Sequence, residues 1–109
     1  MTKVVFLADK GHINGFKISG HSSMDCDDQE GKIVCSAVSS AAYMAANTVT
    51  DIIRADAEAT ADDGAMTLLV NEPCARTETV LKGLELHLKE LTKQYPENIK
   101  IIYGGVKNA

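Results

Sequence analysis

Ile33 to Ala55 reads IVCSAVSSAAYMAANTVTDIIRA. Val34, Val38, Ala41, Ala42, Ala45, Val49, Ile52 and Ile53 recur at spacings of three and four, so they share one face of a helix. The alanines raise helix propensity and permit close packing. A face of this kind needs an apolar surface to cover, and the flanking segments read as strands. Upstream, Lys3 to Ala8 (KVVFLA) is short, β-branched and aromatic. Asp9-Lys10-Gly11 is a turn signal. Ile13 to Ser19 then alternates loosely through Ile13, Phe16 and Ile18, giving a hairpin whose second strand ends near Gly20-His21.

Downstream, Glu58 to Val70 reads as two short strands around the turn Asp62-Asp63-Gly64. Pro73 precedes a second helix, from about Ala75 to Gln94, with an apolar stripe of Val80, Leu84, Leu88 and Leu91 and Leu81 alongside. Pro96 stops it. Ile99 to Tyr103 is a last strand, and Gly104 to Ala109 a tail. The order β-β-α-β-β-α-β predicts an α/β (α+β) two-layer sandwich, a mixed sheet of about five strands with both helices on one face. Residues 1–109 read as a single domain, with no repeat, low-complexity tract or linker.

Composition narrows the function. The formal net charge is -4, from 15 acidic and 11 basic residues, which argues against a nucleic-acid binder with a basic face. Three cysteines are an odd number, so a closed disulfide framework leaves one over. Met1 to Ala8 lacks the h-region and cleavage site of a signal peptide. No apolar run approaches the roughly 20 residues that span a bilayer. These features together predict a reduced, cytoplasmic protein without a membrane or nucleic-acid partner.

The chemistry concentrates in Gly20 to Ser40 (GHSSMDCDDQEGKIVCSAVSS). A histidine ends a strand, the polar stretch Ser22 to Lys32 is expected as an exposed, mobile loop, and Cys35 falls in the first turn of the predicted helix. A thiol attacks only as thiolate. Unpaired amides and the macrodipole at a helix start stabilise an anion there, and Lys32 adds a cation. A histidine nearby takes the thiol proton and later protonates a leaving amine. Cys35 is thus the candidate nucleophile and His21 its candidate base. The same residues also have plainer readings: a cysteine before Ser-Ala-Val as a small core residue, and a histidine after glycine as a turn residue.

The segment resembles the ribosomal-processing cysteine protease family (Prp). That family has a Gly-His pair after its second strand, a short loop and an Ile-Val-Cys-Ala-Ala-Val-Ser helix start. Here the residues are Gly20-His21, a loop, then Ile33-Val34-Cys35-Ser36-Ala37-Val38-Ser39. The Asp-Gly strand turn, the second amphipathic helix and Gln94-Tyr95-Pro96 followed by Ile99 to Ile102 resemble it too. The resemblance implies a cysteine endopeptidase that removes the N-terminal extension of a bacterial large-subunit ribosomal protein, cutting after a pair of aromatic residues. It implies His21 and Cys35 as the catalytic pair, a homodimer, and no metal or cofactor. The chain departs from the pattern at Lys32, where the family has Asp, at Gly31, one residue closer to the cysteine, and in a longer loop that carries an extra cysteine, Cys26.

Two other function classes remain open on the sequence. One is a non-catalytic peptide-binding module of the same fold, suggested by Lys32 and the altered loop. The other is a redox-responsive thiol protein, suggested by the three cysteines; Cys26 is expected to be a bystander whose oxidation with Cys35 would inactivate an enzyme. Cys74, after Pro73 near a helix start, is expected to be structural. The set Cys26, Cys35, Cys74 and His21 lacks the paired spacing of a structural zinc site. Ser39, one turn after Cys35 on the same helix face, has two readings, a bond back to a backbone carbonyl or support of the active site, while His12 and His87 receive no role. The acidic run Asp25 to Glu30 lacks EF-hand spacing and would attract a basic peptide.

Overall fold

The computed structural model describes residues 1–20, 29–62 and 64–105. Five strands and two long helices follow the expected order: β1 (Thr2–Asp9), β2 (His12–Ser19), α1 (Gln29–Asn47), β3 (Ala57–Asp62), β4 (Ala65–Val70), α2 (Ala75–Gln94) and β5 (Ile99–Gly105). The sheet order is β3-β4-β2-β1-β5. Among the described residues only β1 and β5 run parallel, so the sheet is mixed, as the sequence predicts.

The β1–β2 hairpin turns on Lys10 and Gly11, both at positive φ (53° and 83°), the twist-compatible geometry of two-residue hairpins. Phe6 pairs with Phe16 and Val4 with Ile18. These rows continue into β4, where Phe16 meets Leu68 and Ile18 meets Met66. Because side chains alternate across a strand, one sheet face carries Thr2, Val4, Phe6, Phe16, Ile18, Met66 and Leu68, all buried. The register shifts after Leu7, so Asn14 has no opposite number. Asn14 is buried, and its Oδ1 finds no partner among the described residues.

Both helices close this face. Val34, Val38, Ala42 and Ala45 of α1 and Leu81, Leu84 and Leu88 of α2 join the strand residues in one core cluster. Each fully buried Leu, Val or Phe contributes roughly 1.5–3 kcal/mol. His12 Nδ1 donates to the Glu78 carboxylate at 2.9 Å, tying the start of β2 to the first turn of α2.

Three expectations need correction. First, α1 begins at Gln29, so residues 29–32, expected as loop, are helical. Second, residues Thr48–Ile53 continue α1 as a π-helix. A wider turn shifts the phase of the stripe: Val49 stays buried while Ile52 is 76% exposed. Third, β5 runs on through Gly104 and Gly105, which had been assigned to the tail. The continuous helix Gln29–Ile53 is also long and apolar enough, by length and composition, to cross a membrane. One face of it, Val34, Val38, Ala42, Ala45 and Val49, is buried in the core.

Candidate active site

Cys35 is the seventh residue of α1, nearly two turns from its start. The first-turn placement expected from sequence is therefore wrong. The open amides of a helix belong to its first four residues, here residues 29–32, and the dipole effect decays within the first turn. Lys32 and Ile33 are exposed and Val34 is buried, leaving Cys35 half-buried at the boundary of the core. Its sulfur is disulfide-bonded, so thiolate chemistry at this position requires prior reduction. Ser39, one turn further along, is half-buried as well.

The sulfur lies where β1 begins. Thr2 Oγ1 is 3.6 Å from Cys35 Sγ. Thr2 is 1% exposed, and its amide donates to Asn98 O at 2.8 Å. Since β1 and β2 are antiparallel with Lys3 opposite Ser19, the beginning of β1 and the end of β2 share one end of the sheet. Gly20, at φ +74°, lies so close to Met1 that a Cβ there would stand 2.5 Å from Met1 O. Its amide donates to Gly64 O at 3.2 Å. The chain thus leaves the sheet toward residue 21 at the end occupied by the Cys35 sulfur. His21 itself, Cys26 and the rest of the expected loop (residues 21–28) lie outside the described residues.

The thiol found at a true helix start is Cys74. It caps α2, with its amide donating to Thr77 Oγ1 at 3.0 Å and Thr77 Oγ1 donating to Cys74 O at 2.9 Å. Cys74 is an exposed, free thiol, held below the ordinary thiol range chiefly by the Thr77 backbone amide and then the Thr77 side chain. It borders a cleft of about 520 Å³ with Arg54, Asp56, Glu72 and Arg76. His12 is engaged with Glu78. His87 lines an apolar groove of about 670 Å³ between α1 and α2, with Ala41, Met44, Val80 and Leu84. Among the described residues no cluster of His, Cys, Asp and Glu is placed to hold a metal ion.

Sequence reasoning missed Thr2. Its signal was available: residues 2, 4 and 6 share one side of a strand, so an inward Val4 and Phe6 turn Thr2 inward too.

The fold is a small two-layer α/β domain that carries Cys35 on the helix after its first hairpin. The family model of cysteine protease Prp matches residues 1–100, and the chain belongs to that family. Solved structures agree on the fold. A Streptococcus mutans protein superposes with a TM-score of 0.83 at 20% identity, over 96% of this chain and 98% of that one. The essential ribosomal processing protease Prp from S. aureus in complex with a substrate peptide superposes at 0.86 and 19% identity, over 95% and 100%. The same protease with a covalently linked product peptide superposes at 0.77 and 21% identity, over 95% and 100%. No curated protein matches the chain.

Proposed function

We propose that this protein is a cysteine endopeptidase that removes the N-terminal extension of a bacterial large-subunit ribosomal protein, with Cys35 as nucleophile and His21 as general base and acid. The observation that carries the reading is the position of the Cys35 sulfur, 3.6 Å from Thr2 Oγ1 at the sheet end from which Gly20 leads to His21. Membership of the Prp family and the product peptide covalently linked to the S. aureus protease support it.

After reduction, His21 takes the Cys35 proton and the thiolate attacks the scissile carbonyl. Collapse of the tetrahedral intermediate expels the amine, which takes the proton from the imidazolium, and leaves a thioester. Water, deprotonated by the same imidazole, then releases the acid. A net charge of -4 favours approach of a basic substrate. The working form is a cytoplasmic homodimer without cofactor. The test is incubation, in reducing buffer, of a peptide spanning the extension with the wild type and with Cys35→Ala and His21→Ala. Loss of cleavage in both variants is expected, and undiminished cleavage by Cys35→Ala would overturn the assignment.

A second reading is a peptide-binding module without turnover. It is favoured by Lys32, which stands exposed where the resemblance calls for Asp, and by Cys35 lying beyond the first turn of α1. Peptide binding without cleavage, together with an ordinary alkylation pH profile at Cys35, would establish it.

A further inference from the structure

A thiolate two turns into a helix needs a source of stabilisation other than the helix start. We infer that Thr2 is a positioning residue for Cys35, its buried hydroxyl donating to Sγ and fixing the sulfur toward the end of the sheet. The inference rests on the reading of Cys35 as the nucleophile.

Three observations carry it. Thr2 is 1% exposed, so its hydroxyl hydrogen has no access to water, and buried donors are paired. The one side-chain partner of Oγ1 among the described residues is Cys35 Sγ, at 3.6 Å, within the longer range of sulfur contacts. The Thr2 backbone cannot drift, because its amide donates to Asn98 O at 2.8 Å and the strand is flanked by β2 and β5. A β-branched side chain has few χ1 choices, so a fixed backbone fixes the hydroxyl.

The direction of the effect follows from acceptor strength. A neutral thiol accepts weakly, whereas a hydrogen bond to an ionised acceptor is roughly twice as strong as a neutral one. The Thr2 bond therefore tightens as the sulfur loses its proton and favours the thiolate. It also holds one rotamer of Cys35, which sets the line of attack.

The test uses reduced protein carrying Cys26→Ser and Cys74→Ser, so that Cys35 is the one thiol. The rate of iodoacetamide alkylation is measured against pH for the parent, Thr2→Val and Thr2→Ser, alongside melting temperature and peptide cleavage. Thr2→Val keeps the shape and removes the hydroxyl. It is expected to raise the alkylation midpoint by about one unit, tenfold in ionisation constant, and to lower kcat/KM at neutral pH several-fold with little change in KM. Thr2→Ser restores the donor and should return the midpoint to that of the parent. A folded Thr2→Val with an unchanged midpoint overturns the inference. If Thr2→Val does not fold, Thr2→Ala serves the same comparison. The alkylation midpoint does not depend on proteolysis: a shifted midpoint in a parent that cleaves nothing sinks the protease reading alone, and an unshifted midpoint in an active parent sinks the role of Thr2 alone.

Discussion

Gly20→Ala, compared with Gly11→Ala, isolates what joins the end of β2 to Cys35. Both glycines have positive φ, +74° and +83°, so an alanine at either costs about 1–2 kcal/mol in backbone strain. Each loses part of that, about 0.4–1 kcal/mol, because alanine has less freedom in the unfolded chain. The surroundings differ. A Cβ on Gly11 meets nothing within 4 Å, whereas one on Gly20 lies 2.5 Å from Met1 O. Met1 O cannot simply retreat. It belongs to the rigid peptide unit that contains the Thr2 amide, and that amide is bonded to Asn98 O. Relieving the clash must move Thr2, and with it the contact to Cys35, or push Gly20 and everything after it outward. Overpacking of this kind costs roughly 1–3 kcal/mol. Gly11→Ala is therefore expected to destabilise by about 1 kcal/mol or less and Gly20→Ala by about 2–4 kcal/mol. Urea titration of the reduced proteins measures the difference, and melting temperatures should separate by about 4–8 °C per kcal/mol. If native stability falls in the usual range of roughly 5–15 kcal/mol, both variants stay mostly folded, so peptide cleavage reads geometry rather than unfolding. Cleavage should survive Gly11→Ala and fall steeply in Gly20→Ala. Equal stability of the two variants, or full activity in Gly20→Ala, refutes the link from Gly20 through Met1 and Thr2 to the sulfur.

Three more perturbations probe the frame around the site. Leu68 is fully buried on β4, between β3 and β2, so Leu68→Ala should cost about 2–5 kcal/mol by urea denaturation; a loss well under that range would show that the core can collapse around the void. Cys74, with its thiol pushed down by the Thr77 amide and side chain, should alkylate at neutral pH faster than a small-molecule thiol, and Thr77→Val should slow it; a Cys74 that reacts no faster than free cysteine contradicts the capping account. Tyr103 is pushed up by burial and by its hydrogen bond to Glu85. A raised value means that the fold favours the neutral phenol, so its contribution is complete below about pH 10 and is lost as pH rises through the higher folded value. Tyr103→Phe should flatten that alkaline loss of stability, and an unchanged slope would show that Tyr103 does not titrate in step with unfolding.

The parts of this fold that were legible in the sequence are those where a period repeats. Lys3 to Ala8 and Leu81-Leu84-Leu88 declare a strand and a helix because burial on one side imposes alternation or a spacing of three and four. The starts and phase changes of elements were harder to read. Gln29 to Lys32 is polar and has no period, so the sequence places the start of α1 at Ile33, although Glu30 is the acidic first-turn residue expected at a helix start. Ile52 fits the stripe of a regular α-helix and falls off it because residues 48–53 are π-helical, a change that no single residue in the stretch announces. Thr2 is hard to read because a polar residue beside Met1 carries no motif, and only its parity with Val4 and Phe6 betrays it.

These misreadings bear on the chemistry of the site. With Cys35 in the first turn, free amides and the helix dipole would have been enough to explain an acidic thiol. In the second turn that explanation transfers to Cys74, which has a lowered thiol pKa. On the proposed reading a Cys35 thiolate draws on groups that the tertiary fold brings to it, among them Thr2 from the start of β1 and His21 from the end of β2. Both are delivered by the same hairpin, one at each of its ends. On the proposed reading the hairpin register, Lys3 against Ser19, is what places both groups at the sulfur, and a change that slips this register should abolish peptide cleavage while leaving the helical circular-dichroism signal of α1 intact.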